Sequence, residues 1–304
     1  MEIKIKRTQD TAGPSLILRK QAVKEGQNVE GLKVEGLIVE GLIVPVLSFP
    51  ALSATGIVEH GFSTRIGGVS TGVYSTLNFS VPRGDAPENV AENFRRIGAA
   101  LGTDPEHMVL SHQIHKANVL RVDEKDAGKG TVRELTWDDA DGLVTNTPGL
   151  TLVTFFADCV PVMFVDPVHR AIGSCHSGWR GTVLRISRNV LLKMKEEFGT
   201  DPSDVYCAIG PSICRSCYEI SDEVADEFRK EFPGHDHELL FDVHDGHAQL
   251  DLWEACRLTL LEAGVPAEHI SVTDICTACN PDLLFSHRAA KGQHGLFCGF
   301  IRLL

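Results

Sequence analysis

The stretch of sequence that decides the fold covers residues 149–181, GLTLVTFFADCVPVMFVDPVHRAIGSCHSGWRG. Its apolar runs predict three buried strands, at Gly149–Phe156, Val160–Val165 and Ala171–Cys175. Asp158 and Cys159 stand between the first two runs, and His176 follows the third. Polar groups inside a core cost free energy unless a partner satisfies them, so these three residues are candidate functional residues. The glycines of SGWRG, directly after His176, predict a helix start whose free N–H groups can receive an anion.

Helices and strands are interspersed on both sides of this stretch. Residues 87–102 have helical periodicity, which places one set of residues inside (Val90, Phe94, Ile97 and Leu101) and another outside (Asn93, Arg95 and Arg96). A pair of strands is predicted within residues 108–122. Further helices are predicted at Thr182–Phe198, Asp222–Phe232 and Leu250–Ala263, and short strands at Tyr206–Ile209, Ser271–Asp274 and Leu296–Arg302. Because no regular βαβ order and no linker appear, the sequence predicts one α+β domain.

The bulk composition excludes several classes of protein. With 304 residues and 43% hydrophobic residues, the chain can bury a full core. Its net charge of −12 argues against binding nucleic acid, whose phosphates such a field repels. The N-terminus has no apolar signal region and no segment long enough to span a membrane, so cytoplasmic residence is expected. Nine cysteines without a secretion signal favour thiols or metal ligands over disulfides.

A metal site is one interpretation of the polar residues beside the predicted strands. His115 ends the segment SHQIH, and with Cys159 and His176 it forms the two-imidazole, one-thiolate set that catalytic zinc uses. Copper would also accept these ligands. Two alternatives stay open: Cys159 and His176 are a nucleophile and its base, or they are ordinary buried residues. Asp158 then orients a ligand, shuttles a proton or caps a turn.

Other residues suggest a second metal site and an anion site. CRSC (214–217) and CTAC (276–279) are two CxxC pairs, a spacing typical of structural zinc, although the pairs lie far apart in sequence. Arg65 lies in a Gly/Ser/Thr-rich loop that can surround an anion, and Arg288 follows an apolar triplet and can face a pocket. Both arginines can equally be solvated side chains of plain loops.

Several motifs together resemble one known family. They are HGFSTRIGGVSTGVYSTLNFS, SHQIHKANV, DADGLVTNTPGLTLVTFFADCVPV, GSCHSGWRGT, GPSICRSCYEIS and DLLFSHRAAKG. In this order, from about residue 56 to the C-terminus, they resemble the YfiH family, also called the multicopper polyphenol oxidase or laccase-domain family. The resemblance implies metal ligands at His115, Cys159 and His176, and an arginine that meets substrate or phosphate at Arg65. His287 and Leu296 depart from its pattern, where a tyrosine and an arginine are common.

The resemblance also implies a fold and an activity. The fold is a single α+β domain with a mixed β-sandwich core flanked by helices, over residues 56–304. Residues 1–55, with a VEGL repeat predicted to form edge strands or a hairpin, would be an extension packed on this domain. The activity is phosphorolysis of adenosine, inosine and methylthioadenosine, together with adenosine deamination, at one zinc or copper ion per chain. The expected partners are a purine nucleoside and phosphate, without nucleic acid or membrane. A copper polyphenol oxidase and a Cys–His hydrolase that edits peptidoglycan precursors are the alternatives.

Overall fold

Two six-stranded β-sheets form the centre of the molecule. The computed structural model describes residues 2–3, 5–8, 16–23, 32–34, 37–39 and 42–304. The strands are β1 (Glu2–Ile3), β2 (Ile17–Val23), β3 (Leu32–Val34), β4 (Leu37–Val39), β5 (Leu42–Ser48), β6 (Val58–Ser63), β7 (Met108–Leu110), β8 (Val119–Arg121), β9 (Gly142–Thr145), β10 (Thr151–Phe156), β11 (Val160–Asp166), β12 (Ala171–Ser177), β13 (Tyr206–Ile209), β14 (Glu219–Ser221), β15 (Leu240–His244), β16 (His247–Leu250), β17 (Ile270–Val272) and β18 (Phe297–Leu303). The helices are α1 (Pro50–Ser53), α2 (Pro87–Leu101), α3 (Trp179–Val183), α4 (Ile186–Phe198), α5 (Asp222–Glu231), α6 (Asp236–Leu239) and α7 (Leu252–Glu262).

The two large sheets pack face to face as a sandwich. The first sheet has the order β2-β5-β6-β18-β10-β7 and the second the order β17-β13-β11-β12-β9-β8, and each mixes parallel and antiparallel pairs. Leu152 and Phe156 of the first sheet and Met163 and Ile172 of the second belong to one buried cluster between them. Residues alternate between the two faces of a strand. The long apolar runs of β10 and β11 therefore place apolar side chains on both faces of each strand, one face toward the other sheet and one toward the outer helices.

Helices cover the outer faces of the sandwich. Helix α2 packs on the first sheet, where Phe94 and Ile97 share a cluster with Val153 and Phe300. Helices α4, α5 and α7 cover the second sheet together with the small sheet β14-β16-β15. The predicted α+β sandwich with flanking helices is confirmed, and the predicted strands at Gly149–Phe156, Val160–Val165 and Ala171–Cys175 correspond to β10, β11 and β12.

The outer face predicted for helix α2 is wrong at two of its three positions. Arg95 is exposed as expected, but Asn93 is fully buried and Arg96 is 8% exposed. The Asn93 amide donates to Ser70 Oγ (2.9 Å) and accepts from the Val69 N–H (3.0 Å), so loop backbone and side-chain groups replace water. These hydrogen bonds with the loop of Val69 and Ser70 offset the free-energy cost of burying the amide, and helical periodicity does not reveal them.

The structure differs from the prediction at one pair of strands and at one helix. The strands predicted within 108–122 exist, but β7 pairs with β10 and β8 pairs with β9, so they lie in different sheets. The helix predicted at Thr182–Phe198 is interrupted at Arg185, whose φ of 58° is left-handed. Arg185 is buried, forms ion pairs with Glu231 and Glu262 at 2.8 Å, and lies over the Phe232 ring. These contacts hold the break that separates α3 from α4.

Among the described residues of the first 55, β2 and β5 belong to the first sheet, whereas β1, β3 and β4 form a separate three-stranded sheet. Strands β2 and β5 pair antiparallel, and β5 continues the sheet onto β6. For the VEGL repeat, edge strands or a hairpin were predicted, and β3 and β4 pair antiparallel. The three glycines of the repeat lie outside the described residues. The domain boundary at residue 55 stays a prediction. Within the described ranges, no helix is long and apolar enough to cross a membrane.

Candidate metal centre

Three chain segments meet where the chain passes from the first sheet to the second. Cys159 lies in the connection between β10 of the first sheet and β11 of the second. His176 is the next-to-last residue of β12. The register pairs Val160 with Ser177, which brings Cys159 level with Gly178. His115 comes from the segment between β7 and β8, with φ 61°. The β10–β11 connection, which joins the two sheets, therefore lies beside the end of β12 and the segment of His115.

The three predicted ligands lie close together. One donor atom from each of His115, Cys159 and His176 lies within 4.8 Å of the other two. The imidazole rings are 4.7 Å apart between centroids and nearly perpendicular, at 84°. His176 is only 4% exposed, Cys159 is half-buried and His115 is exposed, so one side of the cluster is open to solvent. A three-ligand set with an open side is the arrangement of catalytic metal sites.

Asp141 links two of the ligands, and the sequence reasoning gave it no role. Its Oδ1 atom lies 2.9 Å from His176 Nδ1, and its carboxylate accepts the backbone N–H groups of Ile114, His115 and Lys116 at 2.9–3.2 Å. Since Nδ1 of His176 is used in this way, Nε2 is the atom left to bind a metal. Asp141 stands within the motif DADG, where its spacing from His115 and His176 carries no recognisable signal.

The charges in the cluster favour a cation. Burial opposes the charged form of His176, but Cys159 and Asp141 outweigh it and raise the pKa of His176 to about 9. Burial and His176 lower the pKa of His115. The pKa of Asp141 lies below its usual value because hydrogen bonds from His176 and the loop N–H groups offset its burial. A proton on His176 balances the local negative charge, and a metal ion would replace that proton.

The donor set and the space around it fit a zinc or copper ion. A Cβ atom at Gly178 would lie 3.0 Å from Cys159 Sγ and 3.0 Å from His115 Nδ1, so only glycine leaves the space between the donors free. Thiolate and imidazole donors suit zinc and copper, whereas magnesium and calcium prefer oxygen. The ligand roles of the three residues remain a prediction that this geometry supports.

The contacts of Asp158 favour one of the three roles predicted for it. It has φ 86° and is 8% exposed. Its two carboxylate oxygens accept from Thr277 Oγ1 (2.6 Å) and from the Arg288 N–H (2.7 Å), and its carbonyl accepts from the Ile213 N–H (3.0 Å). Asp158 therefore joins three loops beside Cys159, which favours the turn-capping alternative, while Asp141 orients His176.

The two arginines predicted to bind substrate are both held by backbone carbonyls. Arg65 donates to the carbonyls of Ser75 (2.8 Å) and Pro281 (2.7 Å), and it lines a cavity of about 210 Å³. Arg288 donates to the carbonyls of Cys217 (3.2 Å) and Glu219 (2.9 Å). Their substrate-binding roles stay predictions.

Arg180 is a cation near the cluster that the sequence reasoning did not single out. It is exposed, stacks on the neighbouring Trp179 ring at 4.2 Å, and is close enough to contribute to the lowered pKa of His115. It is the second residue of α3, two positions after Gly178 and four after the predicted ligand His176. Arg180 is therefore an exposed cation whose charge reaches His115.

Comparisons with known proteins agree with this fold. The family model described as multi-copper polyphenol oxidoreductase laccase matches residues 59–304, a range that includes all three predicted ligands. The chain is 38% identical over 242 residues to purine nucleoside phosphorylase YlmD of Bacillus subtilis strain 168, covering 79% of this chain and 87% of that protein. It is 33% identical over 244 residues to adenosine deaminase RL5 from an unknown prokaryotic organism, covering 79% and 93%.

A solved structure has the same architecture. The crystal structure of the hypothetical protein YfiH of Bacillus licheniformis superposes with a TM-score of 0.81 at 34% identity, covering 85% of this chain and 96% of that one. The sandwich described above is therefore an established fold.

Proposed function

The chain belongs to the multi-copper polyphenol oxidoreductase laccase family, and from that premise we propose that it is a metal-dependent purine nucleoside phosphorylase. It would cleave adenosine, inosine and methylthioadenosine to the free base and ribose 1-phosphate, which keeps the methylthio group in the last case, and would also deaminate adenosine. The observation that carries the proposal is the open-sided donor set of His115, Cys159 and His176. The names of the relatives, a purine nucleoside phosphorylase and an adenosine deaminase, supply the substrate class.

The predicted ligands would hold one zinc or copper ion through His115, Cys159 Sγ and His176 Nε2. Such an ion supplies Lewis-acid activation of an oxygen atom at neutral pH. The chain's own groups prepare the site for it: Asp141 fixes the ring of His176 and the loop that carries His115. Gly178 keeps the space between the donors open. Both groups act on the position of the ligands and not on the substrate.

Both reactions need a place for a nucleophile beside the purine nucleoside. In phosphorolysis a phosphate oxygen forms a bond to C1′ of the ribose while the bond to the base nitrogen breaks, and the base leaves with a proton. In deamination water replaces the amino group at C6, and ammonia leaves. Phosphate requires positive charge, and the exposed Arg180 offers it at the open side of the cluster. Arg65 and Arg288 would support the substrate from the loops that their carbonyl contacts hold in place.

Copper oxidation of phenols fits the described residues less well. A multicopper centre needs many clustered histidines. Over the part of the chain that the structure describes, His115 and His176 are the only histidines in a group of potential metal ligands. A Cys159–His176 hydrolase is the other alternative, since the two side chains are in contact and the pKa of His176 is raised.

Metal content and adenosine turnover, measured with and without phosphate, test the proposal. We expect the wild type to form adenine from adenosine only when phosphate is present. Inosine should form even when phosphate is absent. Cys159→Ala should hold one ion fewer per chain and lose both activities. Cys207→Ala, which removes a fully buried thiol of β13 outside the site, is the matched control and should behave as the wild type.

Each alternative gives a different result. Activity that survives chelation but is blocked by alkylation of Cys159 would favour the hydrolase. Oxygen uptake with a phenol and copper, in a protein inert toward adenosine, would favour the oxidase. An unchanged turnover of adenosine by Cys159→Ala would refute the three-ligand site.

A further inference from the structure

Four cysteines from the two CxxC pairs come together away from the candidate active site. Cys214 and Cys217 follow β13, and Cys276 and Cys279 follow β17, a strand that pairs with β13. Their four sulfur atoms lie within 4.8 Å of one another. We propose that these four cysteines hold a second metal ion, a single zinc in a closed tetrahedral site with structural function.

The spacing of the sulfur atoms fits one ion. With zinc–sulfur bonds of about 2.3 Å, the sulfurs of a tetrahedral site lie about 3.8 Å apart. Cys217 Sγ and Cys279 Sγ are 3.5 Å apart, and the largest separation among the four is within 4.8 Å. A cluster of several irons and sulfides would place more atoms between the thiolates and push them further apart. Four thiolates around one ion leave no open coordination position, which is typical of structural zinc.

Backbone hydrogen bonds position the cysteines of the two CxxC pairs. The Cys214 N–H points at Cys276 Sγ at 3.2 Å, a contact that stabilises negative charge on the sulfur. The Cys217 N–H donates to the Cys214 carbonyl at 3.0 Å, so this CxxC pair forms a tight turn with both sulfurs on one side. Cys214 and Cys276 are buried while Cys217 and Cys279 are half-buried. All nine cysteines of the chain are free thiols in this structure, so no disulfide competes for these four.

The proposed ion would join two loops that both contact the residue before Cys159. The Ile213 N–H donates to the Asp158 carbonyl, and Thr277 Oγ1 donates to the Asp158 carboxylate. Ile213 precedes Cys214, and Thr277 follows Cys276, so each contact adjoins a proposed ligand. Zinc at the four cysteines would therefore fix the loops that hold Asp158 in place.

Zinc analysis of the purified full-length protein tests the proposal independently of activity. We expect two ions per chain in the wild type. Cys159→Ala leaves the four cysteines untouched and should retain one tightly bound zinc. The double variant Cys217→Ser/Cys279→Ser, which changes the two half-buried members, should lose one ion relative to the wild type. Cys207→Ala is the matched control and should keep both.

Cobalt replacement identifies which ligands hold the remaining ion. In Cys159→Ala, cobalt bound by four thiolates should give sulfur-to-cobalt absorption about four times stronger than cobalt bound at the first site of the double variant, where Cys159 is the single thiolate ligand. A Cys159→Ala variant that binds no metal would overturn the second site. The same conclusion would follow if the four cysteines of the purified protein were freely reactive toward thiol reagents or were joined in disulfides. Iron at this position would overturn the zinc assignment. Because Cys159→Ala removes only the first site, failure of the proposed function and failure of this inference give different results.

Discussion

Replacing Gly178 with alanine would place a methyl group among the three predicted ligands. The added carbon would lie 3.0 Å from Cys159 Sγ, 3.0 Å from His115 Nδ1 and 3.6 Å from His176 Cε1. Gly178 has φ −72° and ψ 173°, a conformation that any residue adopts without strain. The effect of the substitution therefore falls on the donors and not on the backbone.

The expected magnitude follows from contact distances. Relaxed contacts to a carbon atom are about 3.5–4.0 Å, so each of the two nearest donors must retreat by roughly 0.5–1 Å. Metal sites tolerate deviations of about 0.2 Å in ligand distance. Loss of a residue that orients a ligand typically lowers metal affinity about 10–100-fold, and we expect Gly178→Ala to cost at least as much. Stability of the metal-free protein should change by less than about 1 kcal/mol, because alanine also restricts the unfolded chain.

Competition with a chromophoric chelator measures the affinity, and adenosine turnover measures the consequence. Urea unfolding in the presence of a strong chelator serves as the control, since it reports folding without the metal at this site. A Gly178→Ala variant that binds metal as tightly as the wild type would refute the arrangement of donors around Gly178. A variant that is unfolded in the chelator would mean that the methyl group disrupts packing and not the donors.

Three further perturbations have defined outcomes. Asp141→Asn should lower metal affinity about 10–100-fold, because a neutral amide orients His176 less strongly, whereas Asp139→Asn two residues earlier should not, in the same competition assay. Arg180→Gln should lower kcat/KM for phosphate about tenfold to a hundredfold, the value of one charged hydrogen bond, with a smaller change in the deamination of adenosine without phosphate. Burial lowers the pKa of His60 from 6.5 to about 3, so the unfolded chain takes up a proton that the folded chain refuses. Stability from this residue is therefore complete above pH 6.5 and declines as the pH falls toward 3, by about 2 kcal/mol between pH 7 and pH 5 in urea unfolding. His60→Gln should remove that part of the decline, and an identical pH dependence in wild type and variant would contradict the assignment.

The sequence predicted the parts of the fold whose signals are local. The apolar runs of β10, β11 and β12 are long because both faces of each strand are buried, and that pattern is visible without a structure. The pairing of β7 with β10 and of β8 with β9 depends on contacts across the two sheets, which no local pattern encodes. Asn93 was misplaced for the same reason, since its partners come from a separate loop.

The residues of the candidate site also fall into those with a local sequence signal and those without one. The metal-capable residues His115, Cys159 and His176 were candidates because such side chains are unusual beside buried strands, and the family resemblance favoured them as one ligand set over the alternatives. Asp141 and Gly178 could not, because an aspartate that orients a ligand and a glycine that leaves room have no distinctive sequence pattern. Their roles depend on three-dimensional distances to atoms of residues far along the chain.

The unequal burial of the three predicted ligands has a consequence for how an ion would enter and leave. His176 is almost fully enclosed and tied to Asp141, Cys159 is half-buried, and His115 is exposed. The innermost donor is thus held in place by Asp141, while the outermost lies at the surface. We expect loading to begin at the inner pair and to finish when His115 closes over the ion, and release to follow the reverse order. The rate of exchange would then depend on one surface histidine, and the selectivity for the metal on the two donors behind it.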